Sequence, residues 1–191
     1  MTQIVQKQFD AAGAIVNLVA SRVGRNRAVH PETAIAATAH LSGTMLFRSF
    51  GLDTTKIPPG VVVLSYEAGE KTPVLLDILL TVLQQCSVAV DKSKIGLAPE
   101  MPQGEPPHLT VHDTRDLLEA ELLTIQREYQ LSLEEAAHAG AVATAWLIRE
   151  CAVRIGAEVG VNVAARGFLE GAKIAPRPPK TKPRPWYQFW K

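Results

Sequence analysis

Cysteine is nearly absent from this chain, with two thiols in 191 residues, Cys86 and Cys151, and neither a CxxC pair nor a Cys/His ligand spacing around them. That excludes a disulfide-stapled scaffold and a thiolate metal knuckle. It suits two buried free thiols in a reducing, cytoplasmic compartment. Aromatic residues are also scarce, at 6% of the chain. Long apolar runs are missing: residues 73–90 are interrupted by Asp77, and the charge-free stretch 33–47 is only 15 residues long. Both fall short of the ~20 apolar residues of a bilayer-spanning helix and read as core helices. The opening MTQIVQKQFD has no basic start followed by an apolar stretch, so no secretory signal is expected. GxGxxG, Walker A and GxSxG motifs are absent, so no cofactor and no catalytic nucleophile set can be nominated.

What is present is unevenly distributed. The formal charge is +1, yet the last 20 residues, from Ala172, hold six bases and no acid, against 14 bases and 19 acids before them. Residues 1–171 therefore read as an acidic helical domain, and 172–191 as a basic tail. Five of the 13 prolines fall within residues 176–185, a composition that favours polyproline II. Trp186, Tyr187, Phe189 and Trp190 follow at the very end.

Periodicity predicts an all-α bundle of about five main helices. Val5, Phe9, Ala12, Val16, Val19 and Val23 line one face of a helix over 2–23, ended by Gly24. Pro31 is placed to open a second helix running to about Phe50. Its only charge after Glu32 is Arg48, so it should be central and covered on most sides. Residues 61–64 could be extended, with no partner strand in view. Thr72 and Pro73 signal a third helix reaching about Cys86. A long Pro-containing loop, 91–110, precedes a fourth helix from near Asp113 to Gln130, with Asp116, Glu119, Arg127 and Glu128 on its wet face. Ser132 and Glu135 form a capping box for a fifth helix that continues, with a bend at Gly156 or Gly160, to Glu170, with Gly171 as its stop.

Small residues four apart (Ala39 and Gly43, Ala136 and Gly140, Ala141 and Ala145) predict close helix contact within the core, with a homodimer as the alternative use of those stripes. Glu135 and His138 make one ExxH pair, and His40 lies on the other charge-poor helix. A di-iron bundle needs a second ExxH and further inward carboxylates, so the expected roles are a helix cap for Glu135 and polar core positions for His40 and His138, with no metal. His108 and His112 would share a face only if the fourth helix started early. Arg22, Arg25 and Arg27 beside the start of the second helix form a candidate anion contact, with a solvated charge run as the plainer reading.

The tail carries the sharpest signal. Arg177, Lys180, Lys182 and Arg184 with the four terminal aromatics suit a docking peptide for a protein partner, or a strap that seats in a groove of the chain's own domain. Peripheral membrane or nucleic-acid contact is less favoured, because the remaining chain is acidic. The expectation is a non-catalytic interaction protein acting as an adaptor, assembly or regulatory component. The rival is an enzyme or ligand-binding bundle with a His40, Glu135, His138 site beneath the 91–110 loop.

Overall fold

The computed structural model describes residues 4–24, 30–53, 57–96 and 106–176, and the protein is all-α within them. Among the described residues there are six main helices: α1 (Gln6–Val23), α2 (Pro31–Ser49), α3 (Tyr66–Gln85), α4 (Val111–Glu128), α5 (Leu133–Ile155) and α6 (Ala157–Lys173). The count is six rather than five because Gly156 does more than bend the last helix. It sits at φ 82°, in the left-handed region where a side chain would be strained, and both ends α5 and begins α6.

That break lets the two halves pack on different sides of α2. The central helix opens with Pro31 at its first position and the His30 imidazole accepting from the Thr33 N–H at 3.3 Å. Residues 31–47 are all buried, and α2 touches each of the other five helices. Burying Ile35, Leu41, Met45 and Leu46 contributes about 1.5–3 kcal/mol each.

Glycine sets the spacing on both sides of α2. Ala39 faces Gly167 and Gly43 faces Gly171, so residue numbers rise together and α2 and α6 run in the same direction. A Cβ on Gly171 would collide with the His40 carbonyl and lie 2.9 Å from the Thr44 nitrogen. Gly171 therefore does not stop the helix as its residue type suggests; it lies within α6 at the closest approach to α2. On the other side Gly140 of α5 packs on Ser42, whose hydroxyl donates to the Ala137 carbonyl at 2.6 Å.

Two further boundaries differ from the sequence reading. α3 starts at Tyr66 and carries Pro73 inside it; Ser65 caps the Ala68 N–H at 3.1 Å. The carbonyl that Pro73 leaves unbonded belongs to exposed Gly69, where water can satisfy it. α4 starts at Val111, with Thr110 as cap and Asp113 as its reciprocal partner. His108 thus lies before the helix and His112 in its first turn, so the two imidazoles do not share a helix face. The extended residues 61–64 do have a partner: Val62 bridges antiparallel to Ile174, with Val63 N–H donating to Lys173 at 2.7 Å and Ala175 N–H to Val61 at 2.9 Å. The partner was hidden because it is the few residues just after α6. Ala175 and Pro176 remain buried against the body.

Candidate functional site

The polar residues of the core gather where α2, α4 and α6 meet. His40 is buried, its Nε2 is 3.0 Å from Glu170 and its Nδ1 is 3.3 Å from the Thr114 hydroxyl. A proton on Nε2 satisfies both contacts, donating to the carboxylate and leaving Nδ1 to accept from Thr114. Arg166 also donates to Glu170 at 2.9 Å. With the His40 bond as the larger cause and Arg166 adding to it against some burial, the Glu170 carboxyl is held down to about 2.

One turn along, the buried Arg115 guanidinium donates to Thr44 Oγ1 at 2.8 Å and to the carbonyls of Gly171 and Ile174 at 3.0 and 2.8 Å. It closes the C-terminal end of α6, where orphaned carbonyls favour a cation. Burial lowers its pKa to about 10, so it stays charged at neutral pH, although its Nη1 is buried with no partner among the described residues. Arg48, the lone base of α2, forms a largely buried pair with Glu119 at 2.6 Å. Glu119 therefore does not belong to a wet face. Neither Arg115 nor the Arg48–Glu119 pair was singled out from sequence, although a solitary charge on a buried helix requires a partner.

The other candidate residues are dispersed. Glu135 performs the capping expected of it, accepting from the Ser132 N–H at 2.7 Å, and pairs with Lys7 at 2.7 Å. His138 is buried near Lys71 and Glu134, and burial pushes its imidazole pKa down against the pull of Glu134. His40 shares neither set of partners. What the far end of the 91–110 loop closes on is His30: His108 stacks on it at 4.3 Å and donates its N–H to Thr33 at 3.0 Å. Arg22 pairs with exposed Glu121, while Arg25 and Arg27 lie outside the described residues. So do Arg177, Lys180, Lys182, Arg184, Trp186, Tyr187, Phe189 and Trp190. Cys86 and Cys151 are free and half-buried, with burial raising the Cys151 thiol. Among the described residues no group of three or more His, Cys, Asp or Glu side chains is arranged to hold a metal ion, and no helix is long and apolar enough to cross a membrane.

No protein-family model matches this chain, and no curated protein or solved structure matches it. The chemistry of its surface therefore has to be read directly.

Two surface features stand apart from the packed seam. The first is the segment around the Val62–Ile174 bridge, where Val62 is 57%, Leu64 83% and Tyr66 79% exposed. Val61 and Val63 supply the bonds to Lys173 and Ala175, so by strand alternation the N–H and C=O of Val62 face away, and they have no partner among the described residues. The second is an open groove of about 660 Å³ lined by Phe9, Asp10, Gly13, Ala14, Asn17, Tyr129 and Trp146.

Proposed function

We propose that this chain works by binding another protein, as an adaptor, assembly or regulatory component, with its C-terminal tail and exposed surfaces of the helical body as contacts. The observation that supports this reading most is the concentration of exposed apolar side chains at Val61, Val62, Leu64 and Tyr66, around an open backbone edge. Exposed apolar patches and unpaired strand edges are the two surface features that most readily recruit another chain. The edge lies beside Ala175 and Pro176, where the described chain hands over to the Pro-rich tail, so both candidate contacts issue from one end of the body. His40, Glu135 and Arg115 are each engaged in bonds that hold helices to one another, which supports a structural use of the polar core.

The test compares the full-length chain with Leu64→Glu and with the double change Trp186→Ser, Trp190→Ser as affinity baits in extract of the native cells. The expected result is a polypeptide recovered in stoichiometric amount by the full-length chain and lost with either variant. Recovery that neither variant reduces, or no stoichiometric partner at all, overturns the reading. Sedimentation of the purified chain separates self-association from binding to another protein.

A further inference from the structure

The groove between α1, the end of α4 and α5 has the composition of a peptide site. Phe9 and Trp146 stack at 6.3 Å between ring centroids and 20° between planes, and Tyr129 adds a third aromatic wall. The Trp146 indole N–H and the Tyr129 hydroxyl have no hydrogen-bond partner among the described residues, although both types commonly find one when partly covered. Asp10 takes a hydrogen bond from Gln6 at 2.8 Å and forms no ion pair within the described residues. Gly13 leaves open space, with no atom within 4 Å of where a Cβ would sit. Flat aromatic faces, free donors and one unneutralised carboxylate are the chemistry that recognises a proline-rich segment bearing bases. Proline rings lie on the aromatics, peptide carbonyls accept from the donors, and a base reaches the acid.

The chain carries such a segment itself. We infer that this groove is the seat of the chain's own C-terminal residues 184–190, bound in cis. Arg184 would meet Asp10, with Pro185, Trp186 and Tyr187 against Phe9, Tyr129 and Trp146. Charge supports the pairing, since the last 20 residues hold six bases and no acid while the rest holds 19 acids to 14 bases. Length supports it as well. The groove faces away from α6, because α1 packs on α2, α4 and α5 whereas α6 packs chiefly on α2, α3 and α5. A tail leaving at Pro176 must therefore cross the body. At ~3.1 Å each, nine residues of polyproline II from Pro176 to Arg184 would reach about 28 Å, close to the ~30 Å width of a small domain. Tethering favours the cis contact over a second copy, because a short linker holds its end at an effective concentration in the millimolar range. The contact goes beyond the proposed function and does not require that any partner exist.

The test uses the full-length chain with a photo-crosslinking residue at the aromatic end, Phe189→p-benzoylphenylalanine, irradiated at low concentration and mapped by peptide mass spectrometry. Crosslinks within the monomer to the α1 peptide holding Phe9 to Asn17 or the α5 peptide holding Trp146 are expected. Asp10→Lys, and separately Gly13→Gln, should cut their yield several-fold. Gly13→Gln fills the groove from an open helical position, so the helical circular dichroism and the cooperativity of unfolding should be kept, which separates loss of docking from loss of fold. Crosslinks to other parts of the body, crosslinks only between copies, no crosslink, or a yield that both variants leave unchanged would each overturn the inference.

Discussion

The α2–α6 seam and the α1 groove use the same residue for opposite ends. Along the seam, Gly43, Gly167 and Gly171 bring two helix backbones nearly into contact, and at each of these positions a Cβ would have held them apart. In the groove, Gly13 is missing a side chain that nothing would have obstructed. Glycine in a helix interior costs about 0.5–1 kcal/mol relative to alanine wherever it sits. At the seam that cost is offset by dispersion contacts and by polar bonds that only a close approach permits, such as Arg115 to the Gly171 carbonyl. At Gly13 no packing in the described body offsets it.

The largest effect should come from closing that difference at the seam. Gly171→Ala drives a methyl into the His40 carbonyl and the Thr44 nitrogen, both backbone atoms that cannot rotate away. We expect a loss of about 3 kcal/mol or more, at the upper end of overpacking changes, read as the shift of the urea unfolding midpoint. A loss under about 1 kcal/mol, the scale of volume-conserving swaps, would mean that α2 and α6 slide apart easily and that the seam is not the rigid element of the fold.

Next in size is Arg115→Met, which keeps bulk but orphans the carbonyls of Gly171 and Ile174 and leaves the Thr44 hydroxyl only its bond to the His40 carbonyl. Unsatisfied buried groups cost about 1–3 kcal/mol, so a loss of about 2–3 kcal/mol is expected. The matching change on the exposed side, Arg22→Met, breaks only the surface pair with Glu121 and should cost under ~1 kcal/mol. Equal losses for the two arginines would remove the distinction between seam and surface.

How far this contrast was legible in the sequence depends on the element. α2 was visible almost to the residue, because a stretch between Pro31 and Gly51 whose only charge after Glu32 is Arg48 suits a buried helix with that start and stop. The Ala39–Gly43 stripe announced a close contact, but its partners Gly167 and Gly171 could be recognised only once the chain had been folded back at Gly156. A glycine inside a periodic pattern reads equally well as a bend or a break, and its φ of 82° decides for a break. His40 was legible as a core polar residue from its helix, whereas Glu170, 130 positions away, was not. Glu119 was placed on the wet side with Asp116, Arg127 and Glu128, although it lies next to buried Leu118 and three residues from buried Leu122. Reading α4 against the solitary Arg48 of α2 would have exposed the mistake, since one buried base needs one carboxylate.

Acid should loosen the polar contacts of the core before the glycine seam. His138, beside α3, is the first group to respond: its folded pKa lies below 6.5, chiefly through burial. The unfolded chain therefore binds the proton more readily, and the contribution of His138, full above 6.5, is lost as pH falls through the lower folded value. Glu170 follows, with a carboxyl lowered from 4.5 to about 2, chiefly by the bond from His40. Its contribution is present above 4.5 and disappears as pH falls through about 2. Thermal midpoints measured across the acid range should therefore fall in two stages. His138→Gln should remove the first stage, and Glu170→Gln should flatten the second while lowering the midpoint at neutral pH. A Glu170→Gln variant with an unchanged acid limb would show that His40 does not hold that carboxylate.

The smallest effect carries the opposite sign and bears most directly on the groove. Gly13→Ala adds a methyl in open space at a mid-helix position of α1, so the helix gains about 0.5–1 kcal/mol from reduced backbone entropy alone. In a chain whose groove stays empty the gain should appear in full. With the tail seated there, the methyl intrudes on the docked segment, and the gain shrinks or reverses in the full-length protein. The same change introduced together with Trp186→Ser and Trp190→Ser, which removes the anchors of the tail, should restore it. A difference between those two backgrounds of a few tenths of a kcal/mol or more, the limit within which independent sites add, would couple residue 13 to residues 186 and 190. Identical gains in both backgrounds would leave Gly13 as an unoccupied notch and return the tail to partners outside the chain.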